Sequence, residues 1–490
     1  MPSVLGRWGR RAFPELPPLD RRVRWALVAI VAAAALARIA WAVTQAQEPT
    51  GPQLRDPVLY LLLSDQVAHG HGFSYPGDAG GVTAYYPPGY PLFVAAVLWV
   101  VGLAPGEVSA FDVALWTNVV LSVATVPLVF ALGRRLASPG VGLVAAGAFA
   151  LWPNLVFHSG VVLTETLFLF LFVLLFLVAL ATPAVARHPG RWRLVTVGVL
   201  FGLTGLVRPV SLVIAPLFLV LWWSDGVRRA VRNTGLVGVA TIAVIVPWAI
   251  RNAIQMDSPI LLSANFGDNF CIGNNPEATG SYGLPGYCFP ESLNAGKRPE
   301  FEVRRQSYTL DKGLTWLREN PLDAAGLVPE RLSATLRHDD DGLAAAGDYG
   351  QHPVFGPSTT HRVGQVADAY YFLLVALTAA GFVLVVRRGA WADRRWQLFV
   401  LAAPVQLLSP LLTFGDPRFK MPIYPVLAVC AGVAVVALVR RRDPVGAASA
   451  TDVPGAPPDD GAPDADGSDI PAADETAPDA AGRSAPTPST

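Results

Sequence analysis

Long apolar runs separated by short polar segments dominate this chain. Eight of them are long enough to cross the roughly 30 Å of membrane hydrocarbon. They lie near residues 25–44, 110–133, 140–158, 163–181, 235–250, 367–386, 396–413 and 422–439. Two shorter runs, 194–207 and 210–223, predict a helical hairpin with Arg208 and Pro209 at its tip. The pattern predicts an all-α polytopic membrane protein with about ten transmembrane helices.

Arginine residues occur in alternate loops between these runs. The clusters are Arg7, Arg10, Arg11, Arg21, Arg22 and Arg24; Arg134 and Arg135; Arg187, Arg191 and Arg193; Arg228, Arg229 and Arg232; Arg387, Arg388, Arg394 and Arg395; and Arg440, Arg441 and Arg442. Basic residues concentrate in the cytoplasmic loops of membrane proteins. The sequence therefore predicts a multi-pass plasma-membrane protein with both termini in the cytoplasm.

The run 91–104 has only 14 residues, and if it crossed the membrane it would place Arg134 and Arg135 outside. We therefore expect a helix that lies in the outer membrane interface. Residues 302–337 predict an amphipathic helical stretch on the membrane surface, interrupted at Asn320 and Pro321.

These expectations divide the chain into regions. They are a basic cytoplasmic N-terminus (1–24), an N-terminal transmembrane module (25–250) whose first outer loop is 45–109, an extracytoplasmic loop region (251–366), C-terminal transmembrane helices (367–440) and an acidic cytoplasmic tail (441–490). The tail is rich in Ala, Pro and Asp and predicts disorder, because it offers too little apolar surface to bury.

Composition agrees with a membrane protein. The chain has 490 residues, of which 52% are hydrophobic and 15% charged, whereas about a quarter of a soluble protein is charged. The net charge of zero says nothing about partners, since nine acids in the last 40 residues offset the basic loops. No glycine-rich loop followed by Lys and Ser or Thr is present, which excludes a P-loop ATPase. No nucleic-acid partner is expected.

Three cysteines occur in the chain, and two of them, Cys271 and Cys288, share the region 251–366. In an oxidising extracytoplasmic compartment they can form a disulfide, which would stabilise the fold by about 3 kcal/mol. Two free thiols are an equally good interpretation of the sequence.

Two acids are candidates for chemistry. Asp56 follows the first span and precedes an apolar segment, so its carboxylate can serve as a base at an interfacial cavity. A helix N-cap explains the Asp-Pro pair as well. Glu165 lies near the outer end of an apolar span, where an ionisable residue suggests function. The structural alternative is a carboxylate paired with Arg38 or Arg208.

Four cations, Arg208, Arg251, Arg418 and Lys420, are predicted near the outer face, where they could bind a lipid phosphate. Interfacial anchoring explains any single one of them equally well. The run Asp339 to Asp341 is interpreted as solvated. No clear set of metal ligands is present, although a divalent metal stays possible.

Several short motifs occur in a fixed order. They are Asp56-(x3)-Tyr60, Gly70-x-Gly72, Tyr86-Pro87-Pro88-Gly89-Tyr90-Pro91, Thr164-Glu165, Val207-Arg208-Pro209, Pro247-Trp248-(x2)-Arg251-Asn252, Gly273-Asn274-Asn275-Pro276-x-Ala278-Thr279-Gly280 and Arg418-(x3)-Pro422. Together they resemble the GT-C glycosyltransferases, and most of all the bacterial family 39 branch related to protein O-mannosyltransferases and lipid A aminoarabinose transferases. The resemblance runs from about residue 25 to 440.

The resemblance implies a GT-C-type helical bundle that takes a mannose- or arabinose-like sugar from a polyprenyl-phosphate carrier. The sugar would pass, with inversion, to a lipid, glycan or protein acceptor at the outer face. The resemblance implies that Asp56 is the general base and that Arg251, together with Arg208 or Arg418, holds the leaving phosphate. Glu165 is the second candidate catalytic residue, and Lys420 is a further candidate for binding the donor phosphate. The implied substrate-binding residues are Tyr60, Tyr86, Asn252, Asn274 and Asn275. Many relatives carry two adjacent acids where this chain has Arg55, Asp56 and Pro57.

Two other interpretations stay open. A flippase or transporter for lipid-linked sugars is one, although such proteins tend to show internal repeats and charged residues near the bilayer midplane. An inactive scaffold that binds lipid carriers is the other.

Overall fold

The computed structural model describes residues 18–50, 56–77, 80–102, 108–181, 189–294 and 298–442. The predicted disordered tail, from 443 onward, and most of the basic N-terminus lie outside the described residues. Within the described part, the only strands form a two-residue antiparallel pair. The all-α fold class is therefore confirmed.

The first part of the chain is helical except for this strand pair. Its elements are α1 (Arg21–Gln45), α2 (Asp56–Ala68), β1 (Ser74–Tyr75), β2 (Gly81–Val82), α3 (Gly89–Val101), α4 (Ala110–Leu136), α5 (Pro139–Ala150), α6 (Pro153–His158), α7 (Glu165–Ala179) and α8 (Arg191–Val207). The run 140–158 is thus two helices, since Pro153 begins a new helix as its first residue.

The middle part alternates short and long helices. Its elements are a 3₁₀ helix (Pro209–Ile214), α9 (Leu217–Trp222), a 3₁₀ turn (Trp223–Asp225), α10 (Val227–Gln255), α11 (Phe266–Gly273), a 3₁₀ turn (Glu291–Asn294), α12 (Glu300–Glu319), α13 (Pro321–Gly326), α14 (Val328–Leu336) and α15 (Asp341–Tyr349). The break predicted at Arg208 and Pro209 is confirmed, because Arg208 is extended between two helical segments. The helical character of 302–337 and its interruption at Asn320 are confirmed as well.

The last part contains two long apolar elements. Its elements are α16 (Pro357–Arg387), a 3₁₀ turn (Ala390–Ala392), α17 (Arg394–Gln406), α18 (Leu408–Leu412), a 3₁₀ helix (Pro417–Ile423) and α19 (Tyr424–Arg442). The 3₁₀ helix 417–423 leads directly into α19. Pro417 begins it, and Pro422 inside it removes a backbone donor, which disfavours a regular α-helix at this point.

Five described helical segments are long and apolar enough to cross a membrane: α1, α4, α10, α16 and the segment Pro417–Arg440. This makes the chain a multi-pass membrane protein, while the number of ten spans stays a prediction. Only 22% of the most apolar window of α1, α10 and α16 is buried inside the protein, against 61% for α4 and 78% for Pro417–Arg440. The exposed apolar faces of α1, α10 and α16 suit contact with lipid.

Two pairs of helices approach closely at positions where a glycine has no side chain. A Cβ on Gly381 of α16 would stand 1.9 Å from the carbonyl oxygen of Cys430 in α19. A Cβ on Gly198 of α8 would stand 2.4 Å from the carbonyl oxygen of Val237 in α10. Small residues at such positions let membrane helices pack backbone to backbone.

Candidate active site

Asp56 is the first residue of α2, as the Asp-Pro pair predicts. Its Oδ1 accepts a 2.7 Å hydrogen bond from the Tyr86 hydroxyl, and its Oδ2 lies 3.3 Å from Nη1 of Arg418. The Asp56 side chain is 30% exposed, so an incoming molecule can reach the carboxylate. The structure thus places the predicted base between one neutral donor and one cation.

Three tyrosine rings pack together next to Asp56. Tyr60 packs edge-on against Tyr86 and Tyr90, with ring centroids 4.9 and 5.5 Å apart. Burial, and then the negative charge of Asp56, raises the pKa of both Tyr60 and Tyr86 well above the usual value. Tyr86 therefore keeps its proton and donates it to Asp56 in a hydrogen bond.

Arg418 lies between acids from different parts of the chain. Its Nε is 3.3 Å from Oδ1 of Asp416, and the same oxygen accepts a hydrogen bond from the Arg418 backbone N–H. The guanidinium also interacts electrostatically with Glu165 and Asp56. Asp416 thereby fixes Arg418 at the start of the 3₁₀ helix, with its Nη1 turned to Asp56.

A second ion pair adjoins the first. Glu165 begins α7, and its Oε1 lies 2.9 Å from Nη1 of Arg208 at the end of α8. Both side chains are largely buried. The Arg208 guanidinium lies 5.7 Å from the ring centre of Phe168 and 5.8 Å from that of Phe419, the residue after Arg418. Of the two partners expected for Glu165, the structure selects Arg208; Arg38 instead donates to Ser122 and to backbone carbonyls.

The two ion pairs lie near Tyr60, whose ring packs against Tyr86, the residue that donates to Asp56. Asp56 and Glu165 raise the pKa of Tyr60, whereas Arg418 and Arg208 lower it, all on top of the larger effect of burial. These residues come from α2, α7, the end of α8 and the 3₁₀ helix 417–423. The structure therefore brings together six of the residues expected at the site: Asp56, Tyr60, Tyr86, Glu165, Arg208 and Arg418.

Arg251 and Asn252 lie elsewhere and have other partners. Arg251 donates to the backbone carbonyls of Thr83 and Phe73, at 2.7 and 2.8 Å, and its guanidinium lies 4.8 Å from the centre of the Trp248 ring. Asn252 is buried and donates to the carbonyl of Ile260. Arg251 thus fastens the first outer loop to the end of α10, whereas Asn252 holds the segment that follows α10.

Lys420 also has partners other than a phosphate. It is fully buried, with its Nζ 3.1 Å from Oδ1 of Asp339 and 2.5 Å from the carbonyl oxygen of His338. A further acid of this cluster, Asp341, pairs with His158 at 2.7 Å. The interpretation of residues 339–341 as a solvated run is wrong for Asp339 and Asp341, because both are almost wholly buried.

Burial and charge act differently on these two acids. Burial raises the pKa of Asp339 to about 6. Burial opposes ionisation of Asp341 too, but the charges and hydrogen bonds of His158, Lys420 and Asn154 hold its pKa below the usual range. The cluster ties α15 and α6 to the 3₁₀ helix that carries Arg418.

The two loop asparagines are buried parts of the scaffold. Asn274 donates to the carbonyls of Phe270 and Leu412 and accepts from Arg331. Asn275 donates to the carbonyls of Cys271 and Ile272. With these bonds their amides shape the loop rather than facing the four charges, and a contact with substrate stays a prediction for both.

Sequence reasoning missed Asp416 and the acids of the Lys420 cluster. A signal for Asp416 was present, since an Asp before Pro is a common helix start, and its side chain does cap the 3₁₀ helix. No local signal marks Asp339 as the partner of Lys420, because the pair is 81 positions apart and depends on how the outer loop folds back.

Three possible metal ligands stand together in the described residues. The ligand atoms of His338, Asp340 and Asp368 lie within 4.8 Å of one another. His338 Nδ1 and Asp368 Oδ2 already share a 2.8 Å hydrogen bond, which explains their proximity without an ion. None of these three residues belongs to the cluster around Tyr60.

Cys271 and Cys288 form a disulfide that closes the loop 271–288. Both sulfurs are buried. Of the two alternatives left open by the sequence, the structure contains the bonded one.

Replacing both cysteines by serine is expected to lower the free energy of unfolding by about 3 kcal/mol, because the closed ring restricts the unfolded chain. Thermal unfolding in detergent checks this. Dithiothreitol should lower the midpoint of the wild type and leave that of the double variant unchanged. Equal midpoints for both proteins with and without reductant would contradict the expectation.

One part of the chain matches a known protein family. A family model described as dolichyl-phosphate-mannose-protein mannosyltransferase matches residues 87–250. The match confirms the resemblance to GT-C glycosyltransferases. It covers about a third of the chain, includes Glu165 and Arg208, and leaves Asp56 and Arg418 outside. No curated protein sequence matches the chain significantly.

Several solved structures are similar at low identity. The apo oligosaccharyltransferase of Archaeoglobus fulgidus has 13% identity and a TM-score of 0.48, covering 86% of this chain and 52% of that chain. AglB from the same organism, in complex with an inhibitory peptide and a dolichol-phosphate, has 14% identity and a TM-score of 0.46, covering 90% and 53%. ArnT from Cupriavidus metallidurans bound to undecaprenyl phosphate has 12% identity and a TM-score of 0.40, covering 88% and 82%. This chain spans about half the length of the archaeal proteins.

Proposed function

We propose that this chain is a membrane glycosyltransferase that moves a sugar from a polyprenyl-phosphate carrier to an acceptor hydroxyl. The observation that carries the proposal is a pair of neighbouring ion pairs, Asp56 with Arg418 at 3.3 Å and Glu165 with Arg208 at 2.9 Å, to which four separate elements contribute. The family model supports the donor class, since its description names a dolichyl-phosphate sugar. The sugar we expect is mannose- or arabinose-like.

The proposed reaction needs one base and one anion site. Asp56 takes the proton of the acceptor hydroxyl as the acceptor oxygen bonds to the anomeric carbon, with inversion. The bond from that carbon to the phosphate oxygen breaks, and its electron pair leaves on the carrier phosphate. Arg418 and Arg208 stabilise this charge, because guanidinium groups match phosphate oxygens and act strongly where water is scarce.

Glu165 has a positioning part in this scheme. Its 2.9 Å ion pair holds Arg208 against the rings of Phe168 and Phe419. The Asp56 to Arg418 distance of 3.3 Å is longer than a tight charge-assisted hydrogen bond. A phosphate can therefore draw Arg418 toward itself and free the Asp56 carboxylate to act as a base.

We place this site at the extracytoplasmic face, with both termini in the cytoplasm. Arg135, at the end of α4, interacts with Arg193 and Arg395 at the starts of α8 and α17. Arg418, in contrast, begins the segment whose other end carries Arg440. A concentration of arginines at one end of the bundle supports a cytoplasmic assignment for that end and an outer one for Asp56.

Replacing Arg418 with Gln is expected to lower transfer on the order of 10²-fold, because one of the groups that stabilise the leaving phosphate is lost. The assay follows label from polyprenyl-phosphate mannose or arabinose into membrane acceptors, in vesicles that contain the purified protein. Arg362→Gln, an exposed arginine of α16, is the matched control and should keep wild-type activity. Full activity of Arg418→Gln would remove Arg418 from the mechanism, and an inactive wild type would favour a flippase or scaffold.

A further inference from the structure

The disulfide-closed loop 271–288 lies against the segment that leads to Arg418. The Gly415 N–H donates to the carbonyl of Gly280 at 2.7 Å, and Ser281 forms a parallel bridge with Gly415. A Cβ on Gly415 would stand 2.1 Å from the carbonyl oxygen of Arg331. Gly415 is therefore held between the loop and α14, and the loop has a fixed position beside Asp416 and Arg418.

Tyr282 is the aromatic residue that this loop presents next to the bridge. Its ring lies 5.3 Å from that of Phe414, which lies 5.4 Å from that of Phe419. Phe419 in turn contacts the guanidinium of Arg208. A row of rings thus connects the loop with the ion pair of Arg208, and Tyr282 ends the row with 56% of its surface exposed.

Charged residues of the site also act electrostatically on the Tyr282 hydroxyl. Partial burial raises its pKa, the charge of Asp56 raises it further, and Arg418 and Arg305 oppose this rise. The bridge to Gly415 and the row of rings place Tyr282 beside the segment that carries Arg418. No step of the reaction described above uses Tyr282.

We propose that Tyr282 is a binding platform for a saccharide acceptor, whose C–H face stacks on the ring while one hydroxyl reaches Asp56. The inference rests on the proposed function. The face of an aromatic ring is negative and attracts the weakly positive C–H groups of a sugar, and a half-exposed ring beside these charged residues provides such a face. We assign it to the acceptor because Tyr282 lies at the exposed end of the row, whereas the other end reaches Arg208, whose side chain is only 12% exposed and which holds the donor phosphate in the proposed reaction.

Three loop variants test the platform. Tyr282→Leu removes the ring but keeps apolar bulk against Phe414, Tyr282→Phe keeps the ring, and Leu284→Ala changes a 69% exposed residue of the same loop. The probes are labelled polyprenyl-phosphate mannose or arabinose as donor and octyl glycosides of mannose, arabinose and galactose as acceptors. Donor and acceptor KM values are measured separately, and thermal unfolding confirms the fold of each variant.

The expected result is a KM for the octyl glycoside that rises about three- to tenfold in Tyr282→Leu. The donor KM and kcat should stay within about twofold, and Tyr282→Phe and Leu284→Ala should behave like the wild type, because they keep the ring. An unchanged acceptor KM in Tyr282→Leu, a rise in donor KM instead, or an equal rise in Leu284→Ala overturns the inference.

The wild type separates this inference from the proposed function. Transfer of label to endogenous membrane material but to no octyl glycoside overturns the saccharide platform and leaves the glycosyltransferase standing. Absence of any transfer overturns both. If Tyr282→Leu unfolds early, Tyr282→Phe decides the test: an acceptor KM that differs from the wild-type value overturns the platform, and an equal one supports the ring as the binding element.

Discussion

Replacing Asp56 with Asn is expected to lower sugar transfer by about 10²- to 10⁴-fold, the usual contribution of a general base. The amide keeps the size of the carboxylate and can still accept from Tyr86, but it cannot take the acceptor proton. The ion pair with Arg418, 3.3 Å long and partly exposed, contributes little to stability. The measurement is the initial rate of label transfer at saturating donor, with protein amounts matched.

The control for Asp56→Asn is Asp323→Asn, an exposed acid of α13 that lies outside the cluster. It should transfer at the wild-type rate. Both variants should unfold within a few degrees of the wild type. Retention of full activity by Asp56→Asn would show that another group accepts the proton, and Glu165 would be the next residue to examine.

Replacing Lys420 with Met is expected to lower the free energy of unfolding by about 3–5 kcal/mol. Met has a similar length but no charge, so Asp339 would remain buried without its cation. The carbonyl groups of His338 and Pro417 would lose their donor as well. Denaturant titration of the purified protein in detergent, followed by tryptophan fluorescence, measures the change.

A second substitution separates charge from packing in this cluster. Lys420→Met combined with Asp339→Asn removes both buried charges; the single oxygen of Asn can still accept from Trp152, while its amide group can donate to the Tyr424 hydroxyl. The double variant should therefore recover part of the lost stability, since a buried charge without a partner is the main cost. If the double variant is instead less stable than Lys420→Met, by as much as Asp339→Asn alone destabilises the wild type, the pairing is contradicted.

Several local features could be read directly from the sequence. Apolar runs of sufficient length gave the helices of the bundle, because only helices satisfy the backbone of such segments within lipid. Asp before Pro marked the start of α2 at Asp56, and Arg208-Pro209 marked the end of α8, because proline cannot continue a helix that precedes it. These are properties of neighbouring residues, and neighbouring residues are what a single sequence displays.

The site could be predicted only in part, because a list of charged residues does not show which of them meet. In the sequence, four residues look alike, because each is a cation predicted near the outer face: Arg208, Arg251, Arg418 and Lys420. The structure places Arg208 and Arg418 by the carboxylates, fastens Arg251 to backbone carbonyls and buries Lys420 beside Asp339. Burial and partners separate the four, and both depend on segments far away in the chain.

By itself, the sequence determined the membrane class of the chain, the positions of most helices and the presence of an acid at the start of α2, because period, length and capping are encoded locally. Only the tertiary structure decided that Asp56 meets Arg418, 362 positions away, that Glu165 pairs with Arg208 rather than Arg38, and that Cys271 and Cys288 are bonded. The physical reason is that such pairs form where helices and loops pack, and packing depends on the shape and volume of the whole bundle rather than on any one segment.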